Sequence, residues 1–228
     1  MFRHDKKLLH EVRVDKPNPH YGALLQEQLG GANGEIKAGM QYFTQSFRCQ
    51  DKRIKDLMLD IASEEFGHAE MVATMITMLN GHDVNPQETA MTHQQQPHGN
   101  VEAAVLGGLG PSLTNASGSP FTGNFINSTG DLVADLLSDM AAEQRAKVVY
   151  EYLYRQIHDK GVRYTIDFLL NREEAHNALF REALEIVRDT GSNQDFGTTK
   201  DAQMYFDLSQ PGRYFRNPNQ NPQQINDH

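Results

Sequence analysis

The feature that most restricts how this chain can fold is a pair of short sequences, Glu65-Phe66-Gly67-His68 and Glu173-Glu174-Ala175-His176. Each sets a carboxylate and an imidazole three residues apart. On a helix such residues share a face about one turn apart, so both can reach one metal ion. A single Glu-x-x-His arises often by chance. Here each copy follows a lone glutamate at the same interval, 30 residues from Glu35 to Glu65 (65 − 35) and 30 from Glu143 to Glu173 (173 − 143). One offset, 108, relates Glu35 to Glu143 (143 − 35), Glu65 to Glu173 (173 − 65) and His68 to His176 (176 − 68).

That spacing has a geometric meaning if each half is two antiparallel helices joined by a tight turn, because residues equally far before and after the turn come level. The midpoints fall at residues 50 and 158, within the polar stretches Arg48-Cys49-Gln50-Asp51-Lys52 and His158-Asp159-Lys160-Gly161. Four helices would then offer a glutamate from each of two and a Glu-x-x-His from each of the others, all at one height. This is the dinuclear carboxylate site of ferritin-like bundles. The expected fold is all-α: a four-helix bundle with a long crossover connection and extended N- and C-terminal segments, forming one domain over residues 1–228.

Residues 1–20 are polar, with Pro17 and Pro19, and read as an extended arm. The bundle occupies 21–190. Its first helix is expected from Tyr21 to Cys49 across the awkward cluster Gly30-Gly31-Ala32-Asn33-Gly34. Glycine costs about 1 kcal/mol relative to alanine in a helix interior. The cluster therefore marks either a break or a place where another backbone comes close beside Glu35. The second helix, from Asp51 to Asn80 with Gly81 as its stop, has the inward row Ile54, Leu57, Met58, Ile61, Glu65, His68, Val72, Met75, Ile76, Leu79. An ionised carboxylate in such a row costs several kcal/mol unless it is paired, protonated or metal-bound. Residues 81–128 form a connection rich in Gly, Asn, Ser, Gln and Pro, with room for a short helix near 100–109. Its His82, His93 and His98 read as exposed loop residues.

The third helix is expected from Ser128-Thr129, with Asp131 in its first turn, to His158, presenting Leu136, Met140, Glu143, Tyr150 and Ile157 on one face. The fourth follows Gly161 and runs to about Thr190, closed by Gly191. Its row is Val162, Ile166, Leu169, Glu173, His176, Phe180, Ala183, Val187. The tail, 191–228, is polar, with Tyr205, Phe206, Tyr214 and Phe215 as its candidate anchors.

The balance of 21 Lys+Arg against 30 Asp+Glu gives a net charge of −9, which offers no general attraction for nucleic acid or an anionic membrane surface. No segment approaches the roughly 18 uninterrupted apolar residues of a membrane span. Cys49 is the single cysteine, so no intrachain disulfide can form. The basic start lacks the apolar run of a signal peptide, and a reducing, cytoplasmic location is expected.

Four carboxylates and two histidines without a thiolate suit a pair of first-row transition ions, manganese or iron, while zinc would also fit. The spacing alone makes Glu173 a sixth ligand. Beyond the ligands, several stretches together resemble the manganese catalases. They are Met1-Phe2-Arg3-His4, Gly30-Gly31 to Glu35 with Met40 and Tyr42, Ser63-Glu64-Glu65-Phe66-Gly67-His68-Ala69-Glu70, Gly130-Asp131-Leu132-Val133-Ala134-Asp135 and Phe168-Leu169-Leu170-Asn171-Arg172-Glu173-Glu174-Ala175-His176. The resemblance implies a non-haem enzyme holding two manganese ions per chain, which disproportionates hydrogen peroxide to water and dioxygen and protects against oxidative stress. It implies that Glu35, Glu65, His68, Glu143 and His176 serve the metals and that Glu173 stands just off them as a proton acceptor and donor. Tyr42 would join the hydrogen-bond network around them. It also implies a homo-oligomer, in the family a hexamer. Some members carry an arginine immediately before the third carboxylate, where this chain has Ala142, implying a more open entrance. In some members a calcium ion binds at positions matching Asp56 and Asp60 together with the tail; the alternative is that Lys52 pairs with Asp56 on a solvated face. The rival readings are a di-iron ferroxidase or iron store on the same bundle, and a catalase-like structural protein of the spore-coat type.

Overall fold

The computed structural model describes residues 5–81 and 110–189. Among these the regular elements are helical: α1 Pro19–Gly30, α2 Glu35–Ser46, α3 Lys52–Leu79, α4 Leu132–Gln156 and α5 Lys160–Asp189, with a 3-10 turn at Gly123–Phe125. The extended pairing among them is an isolated bridge between Thr114 and Pro120.

The helix boundaries follow local chemistry. Asn18 accepts hydrogen bonds from the backbone of His20 and Tyr21, and Pro19 fills the first position of α1. Asp51 caps α3 through Arg53 N at 2.9 Å and Ile54 N at 3.4 Å. That helix ends at Asn80 and Gly81, the latter at φ 76° in the left-handed region. Asp131, expected within the first turn of α4, is its cap instead and accepts from Ala134 N at 2.9 Å.

The continuous first helix expected over Tyr21–Cys49 is corrected. The helix stops at Gly30, turns through residues 31–34 and restarts at Glu35. Both meanings of the glycine cluster apply. A Cβ on Gly30 would stand 2.5 Å from the carbonyl oxygen of Thr114, so the connection packs its backbone directly against this glycine.

Two apolar layers enclose one polar layer. One cluster gathers Leu25 and Leu29 of α1 with Val72, Met75, Ile76 and Leu79 of α3, Leu153 of α4 and Val162, Ile166 and Leu169 of α5. The other gathers Ala38 of α2, Ile54, Met58 and Ile61 of α3, Leu136 of α4 and Phe180, Ala183 and Val187 of α5. In α3, α4 and α5 the candidate ligands fall between the two apolar runs of the helix, whereas Glu35 opens α2. The arm lies along this body: Leu8, Val12 and Val14 pack against the first cluster, and the ring of His10 stacks on Phe168 at 4.3 Å. Asp159 fixes the arm by accepting from the backbone of Asp15 at 2.9 Å and Lys16 at 3.2 Å. The short helix expected within 100–109, the loop histidines His82, His93 and His98, Gly191 and the tail with its aromatic anchors lie outside the described residues.

Candidate metal centre

Glu35, Glu65, His68, Glu143, Glu173 and His176 come together in the polar layer, each no more than 1% exposed. Their arrangement is two half-sites about one carboxylate. Glu65 Oε2 lies 3.0 Å from His68 Nδ1, and its Oε1 lies 2.8 Å from His176 Nδ1. Glu35 Oε2 sits 3.7 Å from His68 Nδ1, and Glu143 Oε2 sits 3.9 Å from His176 Nδ1. The lone glutamate of each half thus stands beside that half's own histidine. Glu173 Oε1 is 3.8 Å from His68 Nδ1, on a looser footing than Glu65.

A surrounding tier holds these groups. Tyr42 donates to Glu143 Oε1 and Tyr150 donates to Glu35 Oε1, so each tyrosine restrains the glutamate of the other half. Outside the histidines, Glu64 Oε1 lies 3.4 Å from His68 Nε2 and Glu64 Oε2 lies 3.3 Å from His176 Nε2, ion-pair distances without aligned hydrogen bonds. One carboxylate therefore faces both imidazoles and leaves both Nδ1 atoms turned to the centre. Tyr42 was expected in this tier, whereas Tyr150, Glu64 and Arg172 were not singled out as site residues. The offset of 108 was their available signal, since it relates Tyr42 to Tyr150 (150 − 42) and Glu64 to Arg172 (172 − 64) as it does the other six. Asp139, fully buried and accepting from Gln41 Nε2 at 2.7 Å, was also missed; it lies one turn before Glu143.

Burial, and then the negative charge of Glu65, push the carboxyl of Glu35 up to about 7 and that of Glu143 up to about 8. Burial and then Glu35 hold Glu173 well above the carboxylate range. For Glu65 burial acts upward too, but the close contacts of its oxygens with His176 and His68 outweigh it and keep the group ionised. Burial lowers His176, yet Glu64 and Glu65 raise it to about 10. The protein's own groups thus hold protons where cations could sit.

The donor set fits divalent ions. Glu65 Oε1, Glu143 Oε2, both Glu173 oxygens and His176 Nδ1 are buried without a hydrogen-bond partner, a costly state for so many polar atoms in one layer. Ligand atoms of Glu65, His68, Glu173 and His176 lie within 4.8 Å of one another, close enough to hold a metal ion. Oxygen donors with two imidazoles suit manganese or iron. Beside them a cavity of about 250 Å³ reaches from Glu143 and Glu173 toward solvent between α4 and α5. Ala142 is buried and its position is not part of that wall. Asp56 and Asp60 are exposed on α3, and among the described residues neither Lys52 nor another side chain makes an ion pair with them.

A sequence profile described as "Manganese containing catalase" matches residues 1–211. A "Probable manganese catalase" of Clostridium acetobutylicum is 61% identical over 221 residues, spanning 96% of this chain and 95% of the relative. A "Manganese catalase" of Lactiplantibacillus plantarum is 34% identical over 199 residues, spanning 83% of this chain and 73% of the relative. Among solved structures, wild-type KatB, a manganese catalase from Anabaena, superposes with a TM-score of 0.74 at 36% identity, covering 82% of this chain and 81% of that one.

Proposed function

The chain belongs to the manganese-containing catalases, and on that premise we propose how its residues divide the work of converting two hydrogen peroxide molecules into two of water and one of dioxygen. Glu35 and His68 would hold one manganese ion and Glu143 and His176 a second, with the carboxylate of Glu65 available to both. The observation that carries this assignment is the carboxylate of Glu65, whose two oxygens face different imidazoles at 3.0 and 2.8 Å. When bound, the two manganese ions would supply two-electron redox chemistry toward peroxide, between Mn(II) and Mn(III) states.

The remaining chemistry is movement of protons, and Glu173 is placed for it. Both of its oxygens are buried without a partner, and the residue lines the cavity that opens to solvent. Its carboxylate takes a proton from a peroxide hydroxyl, and the carboxylic acid returns it to the oxygen leaving as water. Burial, and then the charge of Glu35, favour its protonated form, the stage that returns the proton. Tyr42 and Tyr150 fix the oxygens of Glu143 and Glu35, while Glu64 holds the outer nitrogens of the histidines. Electron paramagnetic resonance on the reduced, manganese-loaded protein tests the assignment. An exchange-coupled pair is expected, and the signal of isolated ions alone would oppose it.

The biological setting is part of the same reading. Residues 1–228 form one catalase domain, working in the cytoplasm in defence against peroxide. Among the described residues no helix is long and apolar enough to cross a membrane. The assembly is a homo-oligomer, a hexamer as in the family. Phe47 at 63% exposure, Val148 at 54% and Tyr152 at 51% support it, being large apolar side chains that a partner subunit would cover. A monomer of 25.7 kDa by light scattering would contradict it. Any calcium ion on Asp56 and Asp60 would have to draw its further ligands from the tail.

A further inference from the structure

The cavity beside Glu143 and Glu173 has a built frame. Two ties cross from α4 to α5 at its mouth, one on either side of Glu143. One turn before Glu143, the carbonyl of Met140 accepts from Asn177 Nδ2 at 2.8 Å, and Asn177 Oδ1 in turn accepts from Arg181 at 3.1 Å. One turn after Glu143, the ammonium of Lys147 bonds the carboxylate of Glu174, with Glu151 at 4.0 Å as a second, weaker partner. The wall also includes the small, exposed Ala178, just beyond Asn177, and the floor is the buried pair Glu143 and Glu173. The two sides differ in firmness. The Asn177 tie ends on a helix backbone, whereas the Lys147–Glu174 tie joins two long side chains, 23% and 52% exposed, and such pairs contribute only about 0–1 kcal/mol.

We propose that this framed opening is the port through which peroxide reaches the centre, and that the Lys147–Glu174 pair is its latch, which keeps the charge of Lys147 paired at the mouth. The proposal rests on the catalase reading above and adds the residues that control access. A paired lysine suits a neutral substrate. Peroxide is uncharged and passes without electrostatic help, while small anions that would compete for the metals gain nothing from a lysine already paired with Glu174. Removing either partner unbalances the mouth in a known direction. Without Glu174, the ammonium of Lys147 keeps only its weaker partner Glu151 and draws anions in; without Lys147, the free carboxylate of Glu174 repels them.

The test uses sodium azide as the probe, with binding to the manganese-loaded full chain followed by visible absorption at constant low ionic strength. Glu174→Gln is expected to tighten azide binding and Lys147→Met to weaken it, each on the order of two- to five-fold, as for one unit charge acting across a hydrated path. The double variant returns toward the parent value. Ala178→Phe, a change at an exposed position, is expected to slow azide association several-fold while leaving manganese content unchanged. Shifts in the same direction for the two charge variants, or unchanged azide association in Ala178→Phe, would overturn the port. A parent protein that takes up no manganese would overturn the catalase reading and the port with it, whereas a manganese-loaded parent whose variants all match it would overturn the port alone.

Discussion

Arg172 grips Glu64 through Nε at 2.6 Å and a terminal nitrogen at 3.2 Å, across the same 108 positions that relate the ligands of one half to those of the other. Equivalent places in the two halves have thus become an ion pair, and that pair sets the outer face of both histidines. Glu64→Gln keeps the shape but weakens the charge facing the two Nε2 atoms. Manganese affinity is expected to fall by about 10- to 100-fold with the helical fold intact, as measured by competition with a chelator. Unchanged affinity would show that Glu64 is a surface charge and nothing more.

Glu173 separates a spacing argument from a chemical one. As a proton carrier, Glu173→Gln should retain both ions and lose turnover by roughly 10²- to 10⁴-fold. As a ligand, the same change should cost metal, because a neutral amide is a poorer partner for a hard cation. Manganese content and turnover on one preparation distinguish the two, and retention of both in full would place the base elsewhere.

The metal-free protein should lose stability as pH rises. Glu35 and Glu143 go from 4.5 to about 7 and about 8 on folding, so the folded state holds extra protons in that interval. The resulting stabilisation is full below 4.5 and disappears as pH passes through the folded values. His176, raised from 6.5 to about 10, extends the loss to alkaline pH. Melting temperature of the metal-free form is expected to fall between about pH 5 and pH 8, while manganese binding strengthens over the same range as ions replace protons. A metal-free melting temperature that climbs over this interval would contradict the buried-carboxyl picture.

Gly30→Ala tests the break in the first helical stretch. The added methyl would meet Thr114 backbone atoms at 2.5 to 2.8 Å, and backbone cannot step aside as a side chain can. Although alanine is the better helix former, a net destabilisation of about 1–3 kcal/mol is expected from overpacking. Chemical denaturation of the two proteins side by side measures it, and a more stable variant would mean that Thr114 yields freely.

Much of this was legible in the sequence because periodicity and spacing report directly on burial. All eight residues of the row from Val162 to Val187 are buried, and the equal intervals brought the six ionisable residues into one layer. What was not legible depended on contacts between distant segments. Nothing local says that Thr114 packs on Gly30, so the glycine cluster left break and close approach unresolved. Tyr150 looked like one more aromatic on an inward face until its hydroxyl was seen against Glu35. Glu64 and Arg172 carry no role in the sequence reading because periodicity cannot distinguish a carboxylate facing water from one facing two imidazoles.

The most direct measurement is manganese content and oxygen evolution from peroxide on the same purified protein, before and after complete removal of the metal. Two manganese ions per chain, with oxygen evolution that disappears on stripping, returns on manganese addition and occurs without a haem absorption band, is the expected result. Oxygen evolution that survives the loss of manganese, or that follows a haem band, would contradict the central claim.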